Sequence, residues 1–131
     1  ETTQFDLPAI TRLQLLKTGA LIVFCLEAGA IFARIPEDRR TSLRGYAHDV
    51  GLAFQIADDL LDIEGDAAVT GKAVGKDTAA GKATFASLMG VEKARQQASL
   101  LVAQAKDHLR DFGEEADLLR DIADFAISRS Y

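Results

Sequence analysis

The stretch "GLAFQIADDLLDIEGD", residues 51–66, decides the fold class and raises the question of function. Its apolar residues recur at helical spacing rather than in alternation, which predicts a buried helix. Three carboxylates, Asp58, Asp59 and Asp62, interrupt this apolar pattern. Residues three, four and seven apart share one face of a helix, so Gln55 and the three aspartates form one polar stripe. An otherwise apolar helix therefore carries acids where burial makes them costly.

The electrostatics of this stripe disfavour it as a purely structural feature. Two carboxylates about 6 Å apart repel by roughly 3 kcal/mol at an effective dielectric constant near 20. Near the end of a helix, its dipole disfavours each negative charge by about 0.3 to 1 kcal/mol more. No Lys or Arg lies within four residues to pair with these acids. Because Mg²⁺ prefers oxygen ligands and would reverse the repulsion, we interpret the stripe as a magnesium site, with a solvated acidic face as the alternative.

The rest of the chain has the composition of an ordinary globular protein, with 131 residues that are 48% hydrophobic and 27% charged. Alternating β-branched runs are absent, so the predicted fold class is all-α, a helical bundle. A net charge of −5 without a basic block argues against nucleic acid as a partner. The single cysteine, Cys25, and the lack of a cleavage-type signal favour a cytoplasmic location.

Capping and breaking residues predict the helix boundaries. Asp6 followed by a proline predicts a helix start, and the pattern continues to about Ala33. The apolar run 19–33 contains Glu27 and is shorter than a typical span of about 20 residues, so we expect a buried core helix and no membrane span. A short helix is expected near Pro36, and Gly65 is expected to end the aspartate helix.

Two further helices are predicted, over residues 91–112, ended by Gly113, and over about 114–129. The buried residues expected are Ala94, Ala98, Leu101, Ala105, Leu109 and Phe112 in the first, and Leu118, Leu119, Ile122, Phe125 and Ala126 in the second.

Residues 65–85, "GDAAVTGKAVGKDTAAGKATF", are predicted to form a loop in which lysines stand beside glycines. Glycines let the backbone approach an anion and lysines supply point charges for phosphate, although solvated lysines on a surface loop fit the same composition. A P-loop is excluded because five residues separate Gly75 from Gly81 and Ala83 occupies the hydroxyl position.

Two more polar features were considered. Lys17 is followed by a largely apolar stretch of helix, so its ammonium group either faces a cavity or reaches back to the surface. His48 and Asp49 are similar to the metal doublet of HD-type phosphohydrolases, but that site needs further histidines and only His108 remains. We therefore discard the HD-type site.

Three linked motifs carry a resemblance to a known family. In this order and spacing, "KTGALI" (residues 17–22), the aspartate stretch (51–66) and "GKAVGKDTAAGKATF" (71–85) resemble the C-terminal part of trans-isoprenyl diphosphate synthases. The bacterial farnesyl and geranylgeranyl diphosphate synthase type is the nearest. The resemblance implies an isoprenoid synthase bundle in which residues 1–131 form the C-terminal part of one domain, without its N-terminal half.

The resemblance also implies a role for each motif residue. Asp58 would ligate Mg²⁺ bridging to the allylic diphosphate, supported by Asp59 and Asp62, and Asp77 would lie near that metal. The substrate-binding residues implied are Lys17, Lys72 and Lys82 for the departing diphosphate, the Lys17 carbonyl, Thr18 and Gln55 for the allylic carbocation, and Phe54 for the isopentenyl partner.

The implied activity is Mg²⁺-dependent condensation of an allylic diphosphate with isopentenyl diphosphate to give a longer trans-prenyl diphosphate, by a homodimer. The family's first aspartate-rich region is not among these residues, so we expect the 131-residue chain to be inactive alone. A class I terpene cyclase shares the fold and the magnesium chemistry, but its second metal motif usually mixes Asn, Ser or Thr with Glu. A non-catalytic helical subunit is the other alternative.

Overall fold

The computed structural model describes residues 6–70 and 84–129, which are helical and contain no strand. The predicted all-α class is confirmed. The elements are α1 (Leu7–Gln14), a π-helical turn (Leu15–Gly19), α2 (Ala20–Phe32), α3 (Glu37–Thr70), α4 (Phe85–Met89), α5 (Val91–His108), a 3-10 turn (Glu114–Ala116) and α6 (Asp117–Ser128).

The helical run from α1 to α2 begins and ends as its sequence predicts. The Ala9 N–H donates to the Asp6 carboxylate at 3.0 Å, which is an N-terminal cap. At the other end Arg34 adopts a left-handed φ of 54°. The Ile35 N–H then donates to the Ala30 carbonyl at 2.9 Å, the six-to-one bond of a Schellman cap.

Helix α3 is one uninterrupted helix of 34 residues, about 51 Å long at 1.5 Å per residue. The predictions of a separate short helix near Pro36 and of a helix end at Gly65 were therefore wrong. A glycine costs roughly 1 kcal/mol inside a helix but does not terminate it without a left-handed conformation. The predicted loop 65–85 is helical as far as Thr70, and residues 71–83 lie outside the described part of the chain.

Helix α5 packs against α3 through small residues. Ala53 on α3 and Ala94 and Ala105 on α5 are each completely buried, which lets the two backbones approach closely. The buried face predicted for residues 91–112 is confirmed. Its six members, Ala94, Ala98, Leu101, Ala105, Leu109 and Phe112, are at most 8% exposed.

The end of α5 is held by an arginine of α6. Helix α5 stops at His108, not at Phe112 as predicted, and the chain turns there. The Arg120 guanidinium donates to the carbonyls of Leu109, Phe112 and Gly113 at 2.9, 2.8 and 2.9 Å. Leu109 is the C-cap residue of α5, and Phe112 and Gly113 belong to the turn that follows, so Arg120 caps this turn from α6.

Replacing this cap should destabilise the protein. Arg120→Met should lower the free energy of unfolding by about 2 kcal/mol, because three carbonyls lose charged donors. Urea denaturation followed by circular dichroism measures the change. Arg110→Met is the matched control, since Arg110 is 71% exposed and its change should stay within about 0.5 kcal/mol. Equal effects of the two substitutions would contradict the capping role.

Helix α6 buries a different face from the one predicted. Leu118, Ile122 and Phe125 are 71%, 44% and 64% exposed, whereas Ala123 and Ala126 are buried. Only the expectation for Ala126 was correct, with Leu119 partly buried against the core. Small side chains allow α6 to lie close to its neighbours, so its large apolar residues are left on the outer side.

The apolar helix formed by α1 and α2 is largely uncovered. Leu16, Leu21, Phe24 and Phe32 are 64% to 87% exposed, so the expectation of a buried helix was wrong for this chain. Leu7–Phe32 is long and apolar enough to cross a membrane by length and composition alone, and 12% of its most apolar stretch is buried. Core helices of soluble proteins can have the same length and composition.

Candidate functional site

The π-helical turn meets the middle of α3 at a contact between two glycines. A Cβ atom added to Gly51 would lie 3.1 Å from the Cα of Gly19, so the two backbones are in close approach. This contact brings Thr18 beside α3, where its hydroxyl donates to Gln55 Oε1 at 3.3 Å. A π-helical turn inside an α-helix is rare and is frequent at functional sites.

The hydrogen-bonded chain continues from Gln55 to Asp59, one turn further along α3. Both side chains are buried, each at 8% exposure. Burial raises the pKa of Asp59; hydrogen bonds from the Gln55 side chain and the Phe85 backbone N–H oppose this shift, while the charges of Asp58 and Asp62 add to it. Within the described ranges, Asp59 Oδ2 is buried without a hydrogen-bond partner.

The carboxylate of Asp58 is 35% exposed and contacts Arg129, just beyond the end of α6. Arg129 Nη2 lies 3.3 Å from Asp58 Oδ1 and 3.4 Å from the Phe54 carbonyl oxygen. The guanidinium carbon also lies 3.9 Å from the centre of the Phe54 ring. A basic residue does pair with the stripe, contrary to the expectation from neighbours in sequence, because Arg129 reaches it from the end of α6. Arg129 is a site residue that sequence reasoning missed, and no local pattern marks it.

The remaining predicted site residues are dispersed. Lys17 and Asp62 are exposed, so neither faces an enclosed cavity in this chain. Phe54 is partly buried at the edge of the core. Lys72, Asp77 and Lys82 lie outside the described residues.

The donor set fits a magnesium ion held jointly with a ligand. Residues 6–70 and 84–129 contain no group of three or more His, Cys, Asp or Glu side chains that could hold a metal by themselves. Mg²⁺, however, is usually bound through one or two carboxylates plus waters and phosphate oxygens. Asp58 and Asp62 offer such carboxylates one turn apart, and the unpartnered Asp59 Oδ2 can accept from a metal-bound water.

Comparison with known proteins identifies the family. The model described as Polyprenyl synthetase matches residues 2–122. The chain belongs to the polyprenyl synthetase family.

Relatives and solved structures agree with this polyprenyl synthetase membership. The chain is 39% identical to farnesyl diphosphate synthase of Escherichia coli (strain K12), over 99% of this chain and 45% of that protein. It is 35% identical to the farnesyl diphosphate synthase of Bacillus subtilis (strain 168), over 100% of this chain and 44% of that protein. The apo crystal structure of an FPP/GFPP synthase from Zymomonas mobilis superposes with a TM-score of 0.82 at 59% identity, over 96% of this chain and 40% of that one. The chain therefore spans less than half the length of these relatives.

In this polyprenyl synthetase chain, the discarded histidine motif has a different role. Asp49 pairs with His108, whose Nε2 lies 3.2 Å from Asp49 Oδ2, rather than with a metal-binding set. A Cβ atom at Gly45 of α3 would lie 2.6 Å from the ring of His108 of α5. The absence of a side chain at Gly45 therefore makes room for this imidazole. The pair joins the end of α5 to α3.

The glycine contact allows a prediction that separates function from stability. In a polypeptide with prenyl transfer activity, Gly51→Ala should lower turnover by about 10-fold, since small misplacements of reacting groups are costly. The free energy of unfolding should change by less than about 1 kcal/mol, because alanine's helical propensity offsets the tight contact. Turnover assays and urea denaturation measure the two effects. Gly65→Ala, which meets nothing within 4 Å, is the control and should keep full activity.

Proposed function

We propose that this chain is the C-terminal part of a single isoprenoid synthase domain that catalyses Mg²⁺-dependent prenyl transfer. The observation that carries the proposal is the hydrogen-bonded chain from partly buried Thr18 through buried Gln55 to buried Asp59, beside the carboxylate of Asp58. Burying a polar group costs free energy unless it is hydrogen-bonded, and Asp59 Oδ2 has no such partner among the described residues, so binding explains this arrangement better than stability does. The names of the relatives, farnesyl diphosphate synthases, agree with the proposal.

The proposed reaction joins an allylic diphosphate to isopentenyl diphosphate. The allylic C–O bond breaks and diphosphate leaves with the bonding electrons. The double bond of isopentenyl diphosphate then forms the new C–C bond, and loss of a proton gives the longer trans-prenyl diphosphate. Magnesium, when bound, supplies charge that stabilises the leaving diphosphate.

Different residues of this chain would bind the departing diphosphate with its magnesium and the hydrocarbon parts of the two substrates. Asp58, with Asp59, Asp62 and Asp77 in support, would hold the magnesium; Lys17, Lys72 and Lys82 would bind the departing diphosphate. The Lys17 carbonyl, Thr18 and Gln55 would place oxygen dipoles beside the developing allylic cation. Phe54 would pack against the isopentenyl partner.

We further propose a cytoplasmic homodimer in which the apolar helix Leu7–Phe32 is covered by protein. Three charged residues, Arg12, Lys17 and Glu27, lie within this helix, and a charge such as that of Lys17 costs about 2.5 to 3.5 kcal/mol near the bilayer centre. Glu27 also accepts from Arg44 on α3 at 3.0 Å, which ties the helix to the bundle. Allylic and isopentenyl diphosphates are the proposed ligands, and nucleic acid is not.

The experiment uses a polypeptide that extends these 131 residues upstream to the length of the relatives. It is incubated with dimethylallyl diphosphate, radiolabelled isopentenyl diphosphate and Mg²⁺. Label should enter a longer prenyl diphosphate, and EDTA should abolish the incorporation. The 131-residue chain alone should incorporate none, because the family's other carboxylate cluster is not among its residues.

Other outcomes of this assay distinguish the alternatives. A cyclic hydrocarbon formed without isopentenyl incorporation would indicate a class I terpene cyclase. Binding of inorganic diphosphate without turnover would indicate a non-catalytic subunit.

A further inference from the structure

We propose that Arg129 is a positioning residue that holds Asp58 and Phe54 in one fixed arrangement. The inference rests on the proposed function, in which Asp58 faces the metal and Phe54 faces the isopentenyl partner. Arg129 would then link the two halves of the reaction from the end of α6.

The geometry around Arg129 is the basis of the proposal. The Arg129 guanidinium makes three contacts with α3: Asp58 Oδ1 at 3.3 Å, the Phe54 carbonyl at 3.4 Å and the Phe54 ring centre at 3.9 Å. Its Nε also donates to the Ala126 carbonyl of α6 at 3.4 Å. The Arg129 side chain is 17% exposed, so it is largely shielded from water. Residues 54 and 58 lie one turn apart on α3, and the planar guanidinium spans that turn. Together these contacts offset the rotamer entropy that ordering a long side chain costs.

The planar shape of the group, and not its charge alone, is required by this arrangement. A lysine carries the same charge but has a single ammonium centre and no flat face to stack on the ring. Lysine could reach the carboxylate or the ring, but not all three contacts in one conformation. Positioning therefore predicts that Arg129→Lys behaves like Arg129→Met.

Charge predicts the opposite pattern, which makes the two effects separable. A cation beside Asp58 repels Mg²⁺, so removing it in Arg129→Met should strengthen metal binding if charge were the only effect. Arg129→Lys would then resemble the parent. Loss of a positioned ligand weakens metal binding instead, typically by about 10-fold or more.

The test measures binding rather than turnover. Inorganic diphosphate is titrated into the extended polypeptide by calorimetry at a series of Mg²⁺ concentrations, and the half-saturating Mg²⁺ concentration is recorded. We expect it to rise by about 10-fold in both Arg129→Met and Arg129→Lys. An unchanged or lower value in Arg129→Met, or a parent-like value in Arg129→Lys, would overturn the inference. Failure of the parent protein to bind diphosphate with Mg²⁺ would overturn the proposed function itself.

Arg120→Met is the control for a merely structural effect. Arg120 also belongs to α6, but its hydrogen bonds within residues 6–70 and 84–129 go to Asp117 and to the carbonyls of Leu109, Phe112 and Gly113. It should lower stability without moving the half-saturating Mg²⁺ concentration, measured where all variants are folded. An equal shift in this variant would mean that any weakening of α6 suffices, and would overturn the positioning role.

A second measurement needs no metal. The 131 residues contain no tryptophan, so Phe54→Trp introduces a reporter beneath the guanidinium. The emission of this tryptophan is obtained by subtracting the emission of the same protein with Phe54. It should change when Arg129→Met is added to Phe54→Trp, and Arg129→Lys should give the same change. Identical emission in all three backgrounds would show that the guanidinium does not hold this ring.

Discussion

Asp58→Ala in the extended polypeptide should lower turnover by at least about 100-fold, equivalent to about 2.7 kcal/mol of transition-state stabilisation. In the proposed function the substitution removes a direct ligand of the magnesium that stabilises the leaving diphosphate. It also leaves the largely shielded Arg129 without this carboxylate. The free energy of unfolding should therefore fall as well, by less than the roughly 2.7 kcal/mol lost from the transition state. Steady-state assays at saturating Mg²⁺ measure the first effect, and thermal unfolding measures the second.

Asp62→Ala is the matched control for Asp58→Ala. It removes a carboxylate from the same stripe, one turn further along, but this one is exposed. Its loss should cost clearly less activity. Near-normal turnover of Asp58→Ala at saturating Mg²⁺ would show that the metal assignment is wrong.

Asp59→Asn should lower turnover and stabilise the protein at the same time. The buried carboxylate leaves Oδ2 without a partner within the described residues, and the Asn amide leaves an equal number of polar atoms unpaired. The substitution removes only the charge, whose burial raises the pKa of Asp59. Because a raised pKa means that the ionised form is less stable in the folded state than in the unfolded chain, stability at pH 7 should rise, seen as a higher unfolding temperature.

The activity of Asp59→Asn should fall by about 10-fold, because the carboxylate supports the metal through a hydrogen bond or a water. Asp121→Asn, an exposed substitution of the same type on α6, should change neither property measurably. A lower unfolding temperature for Asp59→Asn would show that the ionised carboxylate stabilises the fold, contrary to our account.

Sequence periodicity predicted those parts of the fold in which one stripe of a helix decides burial. The face of α5 was predicted correctly because its apolar residues form a single stripe. The face of α6 was not, because it has two stripes and periodicity favours the larger side chains. The buried stripe is the one with Ala123 and Ala126, since close approach of the backbones demands small residues.

The candidate site was predictable to the extent that it lies on one helix. Spacing placed Gln55, Asp58, Asp59 and Asp62 on one stripe. In the structure their exposure differs: Gln55 and Asp59 are buried, Asp58 is partly exposed and Asp62 is exposed. The contact between Asp58 and Arg129 joins residues 71 positions apart, which no local pattern encodes. The contact of Gly19 with Gly51 is likewise a product of helix packing.

The π-helical turn at Leu15–Gly19 has a consequence for which insertions and deletions this region tolerates. Each residue of an α-helix advances the chain by about 100° around the axis, so one residue too many or too few changes which side chains face inward. A π-helical turn takes up one residue more than the α-helical turn it replaces, because its hydrogen bonds span five residues instead of four. Deleting one residue from this turn would therefore restore ordinary α-helical winding and leave the faces of α1 and α2 in nearly the same relative orientation. Ile10, which is 1% exposed, would stay in the core. A deletion elsewhere in α1 or α2 would instead turn the two helices by about 100° relative to each other. The π-helical turn is therefore the place in this segment where related chains can differ in length by one residue.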